Sequence, residues 1–414
     1  MSLISHSKKR AIARGTLVGA VIVIIVVAAL GTYYYTTLTT KSSSKITIGI
    51  VYDTGGKGDK SFNDMAYAGV LQANSSLGIN YIEESSTDAS DYVPNIEALV
   101  SKNVSLIVCV GFLMDDAVAS EAAKYPNMKF AQIDGDDYNI TNVVAIKYQE
   151  NLGSALVGAL AVAMTKTDVI GFIGGMATGI IYKFWHGYQY GVSWAENYTG
   201  KTVTLLPAQY TGTTGAAWDD PTTDSQIAQS MMAKGADIIY AAAGASGVGM
   251  FNAVGAADKA TGWNWSLTTP PKYFAIGVDS DQDYYGTYQY FVQGQSTGFT
   301  APSFVLTSEM KRVDTGVYTV IESVVAGNYS SFWNNPTKWG PTFFNGTTQI
   351  CGSTGDQPCY VRGVFLLGLA QGGVGPSPMT YTQQYLTPQA TTVMAQLKAA
   401  ILNGTANVPE NYNP

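Results

Sequence analysis

Apolar positions along this chain fall into short runs that switch between two periods. Lys45 to Asp53 alternates and ends in a carboxylate, which predicts a strand. Gly55-Gly56-Lys57-Gly58 reads as a loop, and Phe62 to Ser75 carries Phe62, Met65, Ala66, Gly69 and Val70 at helical spacing. The alternation continues with a strand at Tyr81 to Glu84, a helix at Val93 to Val100 and an apolar strand at Leu106 to Val110. A helix at Asp115 to Lys124 and a strand at Phe130 to Asp134 complete the series. The pattern then repeats. Val143 to Tyr148 is extended, Leu152 to Thr165 helical, and Val169 to Gly174 a strand, followed by a helix through Tyr182 to Glu196. Strands at Val203 to Leu206, Ile238 to Ala242 and Tyr273 to Val278 enclose helices at Ser225 to Lys234 and Gly247 to Ala260. A long helix is expected from roughly Phe304 to Ala326. A late strand at Val364 to Leu369 and a last helix at Pro388 to Leu402 follow.

Short apolar strands separated by helices predict α/β architecture, with parallel sheets covered on both faces. Two such halves predict two doubly wound lobes joined by hinge crossovers. In open sheets of this kind, ligands bind beyond the carboxyl ends of the strands. That rule points to Asp53, Gly111-Phe112, Asp134, Gly174-Gly175, Ala243-Gly244 and Asp279.

The N-terminus carries a different signal. Lys8, Lys9, Arg10 and Arg14 precede an apolar run from Thr16 to Leu30. Positive charge stays cytoplasmic, so the bulk of the chain is expected outside the cell. The run reads as a membrane anchor or as a pilin-like leader cut near Arg10-Ala11, which would allow self-assembly into filaments. A cleaved signal peptide is the alternative, but no Ala-x-Ala site follows Leu30 and no lipobox Cys is present. Residues 1–15 are then a basic cytoplasmic segment, 16–32 a transmembrane or leader helix, and 33–44 a polar stalk. Beyond them, 45–142 is assigned to the first lobe and 143–279 to the second. Residues 280–327 are expected to return to the first lobe, and 328–414 to hold an insertion and return to the second.

Sequons at Asn74, Asn103, Asn139, Asn197, Asn264, Asn328, Asn345 and Asn403 fit a glycosylated external surface. Cys351 and Cys359 enclose a short polar loop, where a disulfide suits an oxidising compartment. Cys109 lies within an apolar run and reads as a buried, inert thiol.

Composition narrows the chemistry. Hydrophobic residues are 46% and charged residues 13% of the 414, the reverse of a disordered chain. Net charge is −7 and no basic cluster exists beyond Lys8-Lys9-Arg10, which argues against a nucleic-acid partner. His6 and His186 are the only two histidines, and neither HExxH nor CxxC occurs, so a zinc or transition-metal site is not expected.

The densest polar segment is Asp53-Thr54-Gly55-Gly56-Lys57-Gly58-Asp59-Lys60-Ser61-Phe62-Asn63. A phosphate loop needs Gly directly before Lys-Ser, and Asp59 there would repel phosphate. The segment reads instead as strand end, turn and helix start, with Ser61 as N-cap and Phe62 and Asn63 facing a cleft. Further on stand Val108-Cys109-Val110-Gly111-Phe112, Phe130-Ala131-Gln132-Ile133-Asp134 and Gly171-Phe172-Ile173-Gly174-Gly175. After these come Phe184-Trp185-His186-Gly187-Tyr188, Ala243-Gly244-Ala245-Ser246-Gly247, Gly277-Val278-Asp279-Ser280-Asp281-Gln282 and Lys311-Arg312-Val313-Asp314. Together, over roughly residues 46 to 410, these pieces resemble the basic membrane protein family of substrate-binding lipoproteins, the purine nucleoside receptors of ABC transporters.

The resemblance implies a type I periplasmic-binding fold that closes on a nucleoside, with no cofactor and no bond made or broken. It implies a partner permease with a separate ATPase. Carried to this sequence, Phe62 and Phe184 would sandwich the base and Asp279 would accept from ribose hydroxyls. Lys311, placed on the predicted long helix, would donate to the ligand and balance that carboxylate. Asp53, Asn63 and Asp134 would bind the base edge or sugar, and Gly244 would let the backbone approach. The chain departs from the family in lacking the lipobox Cys and in an insertion from Trp333 to Tyr360. Three alternatives stay open: a ligand-sensing surface receptor, a receptor for another polar ligand such as a sugar, and a nucleoside hydrolase using Asp53, Asp59 and Asp64 to hold Ca²⁺.

Overall fold

The two halves of the chain lay down strands in the same spatial order, the second with one short strand more. In the computed structural model, which describes residues 46–136, 138–334 and 362–414, the first half runs β1 (Thr47–Tyr52), α1 (Phe62–Leu77), β2 (Asn80–Ser85), α2 (Tyr92–Ser101) and β3 (Leu106–Val110). It ends with α3 (Asp115–Lys124), β4 (Phe130–Ile133) and β5 (Val143–Tyr148). The second half runs α4 (Glu150–Met164), β6 (Val169–Met176), α5 (Gly179–Thr199), β7 (Thr204–Leu205) and β8 (Gln209–Gly212). It continues with α6 (Pro221–Ala233), β9 (Ile238–Ala242), α7 (Val248–Ala260), β10 (Phe274–Asp279), the short α8 (Tyr288–Phe291) and β11 (Val305–Lys311). The chain returns through α9 (Val313–Val325), α10 (Tyr329–Asn334), β12 (Val364–Leu367), β13 (Val374–Pro376) and α11 (Pro388–Leu402).

The first sheet has the order β12-β5-β4-β3-β1-β2 and the second β13-β11-β10-β9-β6-β7, with β8 also beside β6. All pairings are parallel except β11 with β13. In both sheets the strand order reverses beside the half's first strand, between β1 and β3 and between β6 and β9. Such switch points open a crevice at the carboxyl ends. The strands β1, β3 and β9 are almost wholly buried, as strands covered on both faces must be.

Glycine sets the helix packing behind the second sheet. The helix α4 is buried nearly all round and crosses α5 at backbone contact. A Cβ added at Gly191 would stand 1.9 Å from the Ala155 carbonyl oxygen, and one at Gly187 2.3 Å from that of Asn151. Backbone cannot yield as a flexible side chain does. Gly191→Ala is therefore expected to destabilise the fold by about 3 kcal/mol. A urea midpoint equal to that of the wild type would contradict this packing account.

Several expected boundaries move. The stretch expected as one helix from Phe304 to Ala326 is a strand, β11, followed by α9. Its buried side chains include Thr307, Ser308, Glu309 and Lys311, so the apolar signal of an interior strand is missing. Val143–Tyr148 pairs with β4 in the first sheet, not the second, so the first crossover lies after residue 148. The return to the first half starts at α9, which packs on α1: a Cβ at Gly69 would lie 2.5 Å from the Asp314 carbonyl oxygen. Residues 280–311 stay with the second half, and Val364–Leu367 joins the first sheet beside β5. Val203–Leu206 shortens to Thr204–Leu205, and Gln209–Gly212 forms an additional strand.

Among the described residues no helix is long and apolar enough to cross a membrane. The expected span at 16–32, the basic segment, the stalk, Asn345, the Cys351 and Cys359 pair and most of the expected insertion lie outside the described residues. Cys109 is free and fully buried, and burial pushes its thiol pKa well up.

Candidate ligand-binding cleft

The first wall of the cleft grows from the end of β1. Asp53 follows the strand directly and accepts from Gly55 N–H (3.0 Å) and Asn63 Nδ2 (2.9 Å). Asp59 caps α1: it accepts from the N–H groups of Ser61 (2.9 Å), Asn63 (2.8 Å) and Asp64 (3.0 Å). This corrects the expectation that Ser61 would be the cap, since its side chain makes no cap bond. The Ser61 hydroxyl instead donates to Asp279 Oδ2 (2.8 Å), on the opposite sheet. Beside it, Ser280 Oγ and Gln282 Nε2 donate to the Lys60 carbonyl at 2.6 and 3.0 Å. The turn after β10 is thus latched directly to the turn before α1.

Two of the strand-end acids sit in strained backbone. Asp134 (φ 58°) and Asp279 (φ 63°) occupy the left-handed region, which Asp tolerates better than most side chains but still rarely adopts. Strain of this kind collects where a side chain must be aimed. Both acids face Lys311. Its Nζ lies 2.6 Å from Asp134 Oδ2 and 2.9 Å from Glu150 Oε1. The same ammonium stands over the rings of Phe62 (5.1 Å), Tyr148 (5.3 Å) and Phe184 (5.7 Å). Glu150 is shared: its other oxygen meets Lys183 Nζ at 2.6 Å, and Lys183 also reaches Glu410 (3.2 Å) and the Tyr148 carbonyl (2.7 Å).

Burial dominates the acid–base behaviour. It pushes Asp279 up to about 7, against the pull of Lys311 and the Ser61 hydroxyl. It pushes Asp53 up to about 6, against the hydrogen bonds from Asn63 and Gly55. Asp134 is raised for the same reason, while burial of Glu150 is outweighed by Lys183 and Lys311 and its pKa falls. Burial also opposes the charge on Lys311, but Asp134, Glu150 and Asp279 hold its pKa high. Elsewhere, Asp258 and Asp283 rise to about 7 by burial. An acid with a higher pKa in the folded chain binds its proton more tightly there, so folding gains as pH falls from the folded value toward the unfolded 3.8. The ligand-free protein is therefore expected to melt roughly 5 °C higher near pH 5 than near pH 8. A melting point that falls over that interval would contradict the assignment of these acids.

All eight residues named from the sequence (Asp53, Phe62, Asn63, Asp134, Phe184, Gly244, Asp279 and Lys311) line one cavity. It holds about 550 Å³ of free space, part of it open to solvent. Lys311 reaches it from the end of β11, not from a helix as expected. Phe112, to which the strand-end rule pointed, lines it as well, as do Ile180 and Trp218, which sequence reasoning did not select. A Trp in the Gly- and Thr-rich stretch after Gln209–Gly212 was the available signal, but that strand went unrecognised. Glu150 was also missed, though it stands only two residues after the end of β5. Three polar atoms of these walls are buried without a partner: Asn63 Oδ1, Asp134 Oδ1 and Trp218 Nε1. Buried polar atoms are rarely left unpaired, so these three are available to bond a molecule that enters the cleft.

The remaining candidate groups are structural. His186 bonds Gln189 Oε1 and the Asn413 carbonyl on its helix face. The sequence also holds a GxSxG spacing not named above, Gly294-Gln295-Ser296-Thr297-Gly298, but it is an exposed loop without the strand-to-helix turn that hydrolase chemistry needs.

A family model described as ABC transporter substrate-binding protein, PnrA-like, matches residues 46–339. The chain belongs to the Bmp family. Bmp relatives include an uncharacterised lipoprotein of Pyrococcus furiosus, 34% identical over 80% of this chain and 70% of its own length. A lipoprotein of Pyrococcus abyssi is 36% identical over 69% of this chain and 65% of its own length. The ABC transporter nucleoside-binding protein BmpA of Lactococcus lactis is 31% identical over 68% of this chain and 75% of its own. Among solved structures, an ABC transporter solute-binding protein from Aeropyrum pernix superposes with a TM-score of 0.67 at 26% identity. That match covers 88% of this chain and 94% of the other. The two mainly parallel sheets and this likeness agree with the α/β solute-binding architecture expected for a Bmp protein.

Proposed function

We propose that this chain binds a nucleoside, with a purine base, in the cleft between its two sheets and presents it to an ABC permease whose ATPase is a separate chain. The observation that carries the reading is the pairing of Phe62 and Phe184 with the acids Asp53, Asp134 and Asp279 around one cavity. Aromatic rings suit a flat neutral base, and carboxylates suit ribose hydroxyls. The Lactococcus lactis relative, named as a nucleoside-binding protein, supports the same ligand class. Binding stabilises the closed arrangement through contacts made to both halves at once.

The hydrolase alternative is weaker on geometry. Asp59 is committed to three backbone N–H groups of α1, and Asp64 accepts from the N–H groups of Gly58 and Lys60. A sugar receptor would use the same acids but leave the two phenyl rings to stack on a pyranose. Purified protein can decide between them: unfolding it and identifying the released small molecule by mass spectrometry is expected to yield a nucleoside. Release of a sugar instead would overturn the reading.

The proposal extends to the surface. The protein is held at the external face of the cell membrane through its N-terminal apolar run, as an anchor or a pilin-like leader. Its glycans sit at exposed sequons: Asn103, Asn139, Asn197, Asn264, Asn328 and Asn403. Asn74 is half-buried and its Nδ2 donates to the Ile79 carbonyl at 2.6 Å, the nitrogen a glycan would need. Peptide mapping of protein from the native host is expected to find Asn74 unmodified; a glycan there would contradict this geometry.

A further inference from the structure

We infer that the indole N–H of Trp218 is a specificity donor of the cleft, bonding an acceptor atom on the base of the ligand. The inference rests on the nucleoside reading above and names a contact it does not contain. Trp218 ends a short 3-10 turn, Gly215–Trp218, which the second half holds in place. The Ala217 carbonyl accepts from Thr211 Oγ1 (2.7 Å) and Ser246 Oγ (2.8 Å), so the backbone carrying the indole is fixed on two sides.

The ring then lies on glycine. A Cβ at Gly175 would stand 2.5 Å from Trp218 Cζ3, and one at Gly244 3.5 Å from Cε3. These glycines stand near the ends of β6 and β9, at the reversal of the second sheet. The first half meets the same residue from across the cleft. Phe112 makes an edge contact at 6.5 Å, and a Cβ at Gly55 would lie 3.7 Å from Trp218 Cβ. The indole is therefore shared by both halves.

Its polar edge is the unusual part. Cε3 and Cζ3 face the glycines, so the opposite edge, which carries Nε1, turns away from them. That nitrogen is buried and has no acceptor in the protein. An indole N–H can only donate, and a buried donor without an acceptor is costly. Asn63 supplies the complementary atom on the first half. Its Nδ2 donates to Asp53 and Asp59, which leaves Oδ1 as a free acceptor in the same cavity. A base edge that offers one acceptor and one donor would satisfy both.

The test is calorimetric titration of the full-length protein and its Trp218→Phe variant. The probes are inosine and three analogues, each lacking one acceptor: purine riboside without the 6-oxo group, 7-deazainosine and 3-deazainosine. Wild type is expected to bind one analogue about 10- to 100-fold more weakly than inosine. Trp218→Phe is expected to weaken inosine by the same factor and to leave that one analogue unaffected. Phenylalanine keeps the ring on the glycines, and the wild-type analogue series reads the same contact with the indole intact. If the variant binds inosine within about twofold of wild type, the inference falls while the nucleoside reading stands. Equal weakening of all four ligands also overturns it, because packing alone would then explain the loss. If wild type binds none of the four, the nucleoside reading falls and takes this inference with it.

Discussion

Lys311→Met is expected to lower the unfolding free energy by about 3–5 kcal/mol, the cost of stranding buried charge. Met has nearly the length of Lys, so little volume is lost. What is lost is the cation. Lys311 is 2% exposed and its Nζ contacts Asp134 and Glu150 together. Glu150 keeps Lys183, but Asp134 keeps no other ion-pair partner among the described contacts. The double variant Lys311→Met with Asp134→Asn is expected to recover a large part of the loss, since it removes the stranded carboxylate as well. Urea unfolding of the two variants checks this. A Lys311→Met midpoint equal to wild type would show that the pair is not coupled as described.

Asp279→Asn is expected to separate binding from stability. Nucleoside affinity should fall about 100-fold, because a buried charged acceptor is replaced by a neutral amide. Stability at pH 8 should not fall and is expected to rise. Burial pushes Asp279 up to about 7, so the ionised carboxylate is held at a cost above that pH. The same value predicts the pH profile of binding in wild type. Below about pH 7 affinity should weaken by up to about tenfold per unit, as the carboxylate takes its proton. The variant should lose that dependence. A variant that is both destabilised and unchanged in affinity would mean Asp279 serves the latch with Ser61, not the ligand.

Much of this site was readable because it lies at strand ends. Asp53, Asp134 and Asp279 each stand at or just after an apolar run, and the run makes the acid conspicuous. Phe62 and Asn63 were readable from the same turn, because helix α1 begins there. Lys311 was identified only through the resemblance, and its element was misassigned. A strand that buries Thr307, Glu309 and Lys311 carries no periodic apolar signal. Trp218 escaped because the strand before it, Gln209–Gly212, went unrecognised, and Glu150 because its partner Lys311 comes from a strand far along the chain. The placement of β5 and β12 in the first sheet was equally hidden, since strand pairing over such separations is a tertiary fact.

The central claim is that the cleft binds a purine nucleoside between two phenyl rings and a buried carboxylate. Its most direct test is calorimetric titration of the full-length protein, stripped of ligand by unfolding and refolding, with inosine, guanosine, adenosine, uridine and a sugar panel. Micromolar or tighter binding of a purine nucleoside, lost in Phe62→Ala and Asp279→Ala, is the predicted result. Binding confined to a sugar, or nucleoside binding that survives both substitutions, would contradict it.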